Sequence, residues 1–308
     1  MVRALVLASA IALAGCAAKP AVVPHAHPTI VSLNPCTDAV LAQVTAPGQL
    51  LAISHYSQEP GASSMDLAAA RRFPATGGAA EEVLALRPDV VVAGAYLAPA
   101  TRQAFARLGI EVATFGVPGS VAESEAQVRR LAALAGHRAR GAALDEWIEA
   151  ALATARPPAG WRAPDALLWQ EGGIVAGSGS LAAELLARTG FANHAVARGL
   201  GQGAHVPLEQ VLADPPQLIL AASGERALTH PALKALKHTR YARLDRSLLY
   251  CGGPTIIRLA DKLAEIRREI ARRPAPRPCC CSCWRLRCRS RCLRAACGSI
   301  PGPPPTPP

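Results

Sequence analysis

The chain has 308 residues, half of them hydrophobic, and a mean hydropathy of +0.18, enough to bury a core in one large domain or two ordinary lobes and too apolar for wholesale disorder. Its one apolar stretch of note, near the start, is too short to span a bilayer, which excludes a polytopic membrane protein. The net charge of +11 has the look of a nucleic-acid binder, but six arginines (Arg277, Arg285, Arg287, Arg289, Arg291 and Arg294) fall in residues 274–308 and leave only +5 elsewhere, so no nucleic-acid partner is expected.

Residues 1–15 have the form of a secretory signal. Arg3 supplies a positive start and Ala4 to Ala14 a short apolar run. The run ends Leu13-Ala14-Gly15-Cys16, which resembles the lipobox of bacterial lipoproteins. Cys16 is then the lipidation site, and its acyl chains anchor the mature protein to a membrane outside the cytoplasm, in the periplasm or on the outer face of the cell membrane. Residues 16–28 carry three prolines and no apolar period, the composition of a tether. His25 and His27 on it are expected to be solvated rather than metal-bound.

The body alternates strand and helix twice. In residues 29–118, Ile30–Leu33, Leu50–Ser54, Val90–Ala95 and Glu111–Phe115 have strand character, and Asp38–Val44, Ala79–Leu86 and Ala98–Leu108 have helix character. Residues 119–156 form a helical connector. Ser120-Val121-Ala122-Glu123 has the capping-box form, and Leu131, Leu134, Leu144, Ile148 and Leu152 make its apolar stripe. Gly136 and Gly141 are the positions where it would divide into two helices, and Arg156-Pro157-Pro158 ends it. In residues 157–273 the strands are Ala166–Gln170, Ile174–Ala176, Leu218–Ala222 and Leu248–Tyr250. The helices are Leu181–Arg188, Leu208–Ala213, His230–Leu236 and Thr255–Arg272. The alternation predicts an α/β protein of two Rossmann-like lobes with parallel sheets, a connector between them and a cleft for ligand.

Residues 274–308 hold seven of the ten cysteines (Cys279, Cys280, Cys281, Cys283, Cys288, Cys292 and Cys297), no acid and no histidine. Their spacing fits no standard zinc pattern. The tail is expected to be disordered, and it has the composition of GC-rich DNA translated out of frame, so a frameshift near residue 274 is expected. The alternative is a basic, Cys-rich arm that takes metal or an anionic surface.

An internal repeat relates the halves. Glu81 to Val92 matches Glu209 to Leu220, with seven residues from Glu to Pro in each. Together with Ile30-Val31-Ser32-Leu33-Asn34-Pro35-Cys36-Thr37-Asp38 and Ile53-Ser54-His55-Tyr56-Ser57, these segments make residues 29–272 resemble a known family. It is the class of periplasmic binding proteins in which a helix joins two α/β lobes. That class serves ABC importers of cobalamin, ferric siderophores and haem.

The resemblance implies a binding protein without catalytic residues or an intrinsic cofactor. Its ligand would be a metal chelate: a corrinoid, a ferric siderophore or haem. Its partners would be an ABC permease with its ATPase and, through Cys16, a membrane; the chain would be a monomer. Glu81 and Glu209 would dock the two lobes onto the permease. The ligand-binding candidates are Pro35, Cys36, His55, Tyr56, Tyr96, Trp169, Gln170, Tyr250, Cys251 and Gly252, at strand ends facing the cleft. Aromatic faces suit a flat chelate, and Gly252 and Gly253 allow close backbone approach. Cys36 and Cys251 are open to three states: a disulfide across the cleft, a metal pair, or two buried thiols. A helical connector resists wide hinge bending, so closure should be small.

Two other readings compete. A zinc or manganese receptor would need several converging ligands, and His55, His194 and His205 are spread along the chain. A nucleotide-binding α/β enzyme is suggested by Gly177-Ser178-Gly179-Ser180-Leu181-Ala182, which fits G-x-G-x-x-A. No acid follows at the ribose distance of about 20 residues, so this segment reads as a tight turn opening a helix.

Overall fold

The computed structural model describes residues 26–222 and 230–272. The signal segment, Cys16, His25 and the tail of residues 274–308 lie outside the described residues, and with them the expectations stated for them. No helix among the described residues is long and apolar enough to cross a membrane.

The first sheet is built from β1 (Ile30–Ser32), β2 (Leu50–Ser54), β3 (Ala75–Thr76), β4 (Val90–Gly94) and β5 (Glu111–Phe115), all parallel, in the order β3-β2-β1-β4-β5. Ile30, Val31 and Val90 to Ala93 are buried, because helices cover both faces of a parallel sheet and its central strands see no water. Those helices are α1 (Pro35–Val44), α2 (Leu67–Ala70), α3 (Ala80–Leu86) and α4 (Pro99–Arg107). α1 starts three residues earlier than its apolar period indicates. Asn34 caps it by accepting the Cys36 amide at 2.8 Å, and Pro35 takes the first turn, where a missing N–H costs nothing.

The connector is two helices, α5 (Val121–Leu134) and α6 (Arg138–Thr154). Ser120 accepts the Glu123 amide at 3.1 Å, and the Glu123 carboxylate reaches back to the Gly119 amide at 2.8 Å. The break falls at Gly136, with φ of 77°, a left-handed turn open to glycine. Gly141 lies inside α6, where a Cβ would come within 2.5 Å of Ala132 Cβ, so its smallness lets the helices touch. Arg129 of α5 pairs with Asp145 of α6 at 2.8 Å, and with Gly141 facing Ala132 the two helices run antiparallel. α5 packs on α1, and α6 on the last helix of the body. One apolar core therefore runs from the first sheet through this pair to the second. His27 is packed rather than solvated, its ring 4.3 Å from that of His137 beside the break.

The second sheet has β6 (Asp165–Trp169), β7 (Ala192–Asn193), β8 (Leu218–Ala222) and β9 (Arg240–Leu244), again parallel, in the order β7-β6-β8-β9. Its helices are α7 (Leu181–Arg188), α8 (His194–Ala197), α9 (Leu208–Ala213), α10 (Pro231–Lys234) and α11 (Thr255–Arg272). Two expected strands are corrected. Residues 174–176 make only isolated bridges, to Trp169 and His205, because Gly172 and Gly173, with φ of 71° and 78°, turn the chain back on itself. Residues 248–250 belong to a 3-10 turn, Arg246–Leu249, and to the residue after it, with Asp245 accepting the Ser247 amide at 2.9 Å. The real strand is β9, at the sheet edge, with alternate residues exposed.

The repeated segments occupy equivalent places. Glu81 and Glu209 each stand in the first turn of a short helix, α3 or α9, which leads into β4 or β8, the strand next to the first strand of its own sheet.

Candidate functional site

A parallel sheet presents the carboxyl ends of all its strands along one edge, and a crevice opens where the strand order reverses. In the first sheet that point lies between β1 and β4, in the second between β6 and β8. Asn34-Pro35-Cys36 follow β1 and Tyr96 follows β4, so they flank the first crevice. Gln170 follows β6 at the second. A cleft of about 200 Å³ lies between the lobes, with Val117 and Pro118 on the first side and Gln170, Ser180, Tyr250 and Cys251 among the residues of the second.

The structure sorts the residues singled out by sequence into three groups. Gln170, Tyr250, Cys251 and Gly252 line the cleft, and Cys36 adjoins it, bonded to Cys251 as a disulfide. Pro35, His55, Tyr56 and Tyr96 stand on the carboxyl edge of the first sheet, outside the cleft lining. Tyr56 is 51% exposed, Tyr96 92% and Tyr250 38%. The His55 and Tyr56 rings lie 4.0 Å apart on the 3-10 turn His55–Gln58 after β2. Trp169 is the correction: it is 2% exposed, and its indole N–H donates to the Val206 carbonyl at 3.0 Å. Both faces of β6 are covered, so its last residue packs in the core and the first residue free to face ligand is Gln170.

Glycine at 252 answers to the connector as well as to the cleft, since a Cβ there would lie 2.3 Å from Ser124 Oγ on α5. The segment Gly177–Ala182 is a turn opening α7, with Gly179 at φ of 79° and Ser180 capping the helix through the Ala183 amide at 3.2 Å. Ser180, Leu181 and Ala182 line the cleft, which the motif's glycine pattern alone does not reveal. Among the described residues, no three His, Cys, Asp or Glu side chains are placed to hold a metal ion.

Asp38 is a buried structural residue beside the site that the sequence reading missed. It is fully buried on α1 and accepts the Ser57 hydroxyl at 2.6 Å and the Ser54 amide at 3.0 Å. It thereby fixes the turn that carries His55 and Tyr56 to the helix that carries Cys36. Burial pushes its carboxyl up to about 7, against the lowering effect of its hydrogen bonds to Ser32, Ser57 and Ser54. Between the unfolded value near 4 and about 7, the native chain keeps a proton that the unfolded chain releases. Stability from this group is therefore greatest below pH 4 and falls as pH rises to about 7. Asp38→Asn removes the term. The stability of wild type relative to the variant should drop by a few kcal/mol, on the order of the shift, between pH 4 and pH 8 in urea titrations. Parallel pH profiles would contradict this.

Residues 30–246 match the family model described as periplasmic binding protein. No curated protein matches. Among solved structures, the chain is similar to the periplasmic haem-binding protein HutB of Vibrio cholerae, with 18% identity, a TM-score of 0.63, and 78% of this chain and 98% of that one covered. It is similar to the periplasmic haem-binding protein RhuT from Roseiflexus sp. RS-1 in apo form, with 22% identity, a TM-score of 0.60, and 77% and 95% covered. It is also similar to the periplasmic vitamin B12 binding protein BtuF of Vibrio cholerae, with 18% identity, a TM-score of 0.58, and 80% and 98% covered. These similarities concern the fold, and the family match spans most of the body: the chain belongs to the periplasmic binding protein family.

Proposed function

We propose that the chain is the lipid-anchored receptor of an ABC importer and that it captures a metal chelate, a corrinoid or an iron complex such as haem or a ferric siderophore, between its two lobes. In this reading residues 29–118 and 157–273 are the two ligand walls and residues 119–156 the connector. Cys16 tethers the monomer outside the cytoplasm, and Glu81 and Glu209 present it to the permease. The chain binds and releases its cargo without chemistry on it.

One observation carries the reading. The chain has only four tyrosines, and three of them stand partly or wholly exposed around the cleft, Tyr56 and Tyr96 past the ends of β2 and β4 and Tyr250 after the 3-10 turn Arg246–Leu249. Exposed aromatic rings at a crevice offer flat, apolar faces to a flat chelate, and a phenolate is a ligand for ferric iron in haem proteins. The cleft, about 200 Å³, is smaller than the ~300–1,000 Å³ that encloses a drug-sized ligand. A macrocycle would insert one edge and rest its face on the tyrosines at the mouth.

The test is a titration of the purified protein by intrinsic tryptophan fluorescence with cobalamin, cobinamide, haem, ferric siderophores, Zn²⁺ and Mn²⁺. One chelate should quench saturably, and Tyr56→Ala and Tyr96→Ala should each weaken it about tenfold. A response to the free metal ions alone would move the assignment to a metal-ion receptor.

A further inference from the structure

The lobes are joined covalently at the floor of the cleft. Cys36 opens α1 just past β1, Cys251 precedes α11, and the two form a disulfide with Cα atoms 5.1 Å apart across 215 residues of chain. Cys251 is buried and lines the cleft. Cys36 Sγ lies 3.4 Å from the carbonyl oxygen of Tyr250, so the bond sits directly behind a candidate ligand residue.

Weaker ties surround it. The Gly253 amide donates to Ser124 Oγ of α5 at 2.7 Å. The Ser64 hydroxyl donates to the Ser247 carbonyl at 2.5 Å, and Arg258 donates to the Ser64 carbonyl at 2.6 Å. Each of these exchanges with water when the lobes move apart, whereas a disulfide opens only when a thiol or another reductant cleaves it. Without it, residues 247–253 are held to the first lobe and the connector by hydrogen bonds and by packing, Leu248 in the shared apolar core and Gly253 against Val40.

We propose that the Cys36–Cys251 disulfide is the positioning element of the binding cleft. It holds residues 250–252 against the start of α1 and keeps the floor at one width with or without ligand, so that capture is preorganised rather than driven by lobe closure. Preorganisation spares the ordering cost on binding and slows dissociation. A dithiol supplies two electrons and two protons; a phosphine supplies two electrons, and one water supplies the two protons and the oxygen of the phosphine oxide. The S–S bond breaks, two cysteine thiols form, and the reductant leaves as its disulfide or phosphine oxide. The lobes are then joined by the helical connector, hydrogen bonds and the shared apolar core. This inference deepens the proposed receptor role and rests on it for the location of the ligand.

The experiment compares full-length wild type with Cys36→Ser/Cys251→Ser. The double variant leaves neither cysteine free to pair with one in the tail. A non-reducing peptide map must contain the linked Cys36 and Cys251 peptides, and their absence overturns the proposal. Hydrogen exchange should quicken at least tenfold in residues 247–253 and 34–41 of the variant and stay unchanged in β4 and β8. The Kd for the chelate that binds wild type should rise at least tenfold, mainly through faster dissociation. Unchanged exchange and a Kd within twofold would overturn the positioning role. Wild type reduced by tris(carboxyethyl)phosphine gives the same comparison should the variant fold poorly. If no chelate binds either protein, the cargo reading fails, and the exchange data alone decide whether the bond fixes the floor.

Discussion

Reversing the charge at both repeat glutamates, Glu81→Lys with Glu209→Lys, should abolish uptake while the purified receptor keeps its ligand Kd within about twofold. Both carboxylates are exposed, one on each lobe, in equivalent first turns of α3 and α9. Neither lines the cleft, so ligand affinity has no reason to change. Glu82, beside the first, is already engaged by the Thr76 hydroxyl and the Gly77 amide at 2.6 and 2.8 Å. That leaves Glu81 as the acid turned outward. Two charges on opposite lobes fix both the position and the rotation of a docked receptor, and one does not. Each single reversal should therefore cost part of the uptake and the pair nearly all of it. Loss of the first-turn acids also removes a helix-dipole contribution of roughly 0.3–1 kcal/mol each, so a thermal melt of the double variant checks that it remains folded. A double variant that no longer binds ligand would contradict the docking role.

Replacing Arg267 by Met should cost about 3–5 kcal/mol and lower the Tm by roughly 10 °C. Arg267 is only 6% exposed on α11. Its guanidinium donates to the carbonyls of Ala155 and Thr189, both at 2.5 Å, and of Arg156 at 2.9 Å. Ala155 and Thr189 are the C-caps of α6 and α7, whose last carbonyls have no partner within their own helices. One planar fork thus satisfies two helix ends, and its charge complements both dipoles. Met fills similar space and leaves two buried acceptors and one part-buried acceptor unpaired. Lys reaches with a point charge and cannot match the fork, so Arg267→Lys should recover only part of the loss. Denaturant unfolding of the three proteins checks this, and a loss below about 1 kcal/mol in the Met variant would contradict it.

How much of this was legible in the sequence depended on burial. β2, β5, β8, α7, α9 and α11 have the bounds their patterns suggest, because an apolar run or a 3.6-residue stripe stops at a polar or glycine boundary. β9 was hidden because Arg240-Tyr241-Ala242-Arg243-Leu244 is an edge strand with one wet face, so it reads as polar chain. Leu248–Leu249 are apolar for another reason: they pack against the core from a 3-10 turn and join no strand. β3 and β7 have two residues each, too few to show a period. The connector's break at Gly136 was foreseeable as a glycine, but its choice over Gly141 depends on the contact with Ala132.

The site was less legible than the fold. The end of β6 could be located, which brought Gln170 to the cleft, whereas Tyr250, Cys251 and Gly252 reach it from a 3-10 turn and not from the strand expected there. Side-chain direction at a strand end could not be located, and Trp169 points into the core. The partnership of Cys36 with Cys251 depends on the first turn of α1 meeting the segment before α11, 215 residues away, for which no local pattern exists. Asp38 stands in the first turn of α1, where an acid is ordinary. Only packing shows that it is buried and holds the turn bearing Tyr56.

The central claim, a receptor for a metal chelate, is tested most directly by native mass spectrometry of the purified chain. The protein would be incubated with an equimolar mixture of haem, cobalamin, cobinamide, ferric siderophores, Zn²⁺ and Mn²⁺. One dominant adduct with the mass of a single chelate, reduced in Tyr56→Ala and Tyr96→Ala, is the predicted result. An adduct of bare metal ions alone, or no adduct from the mixture, would contradict it.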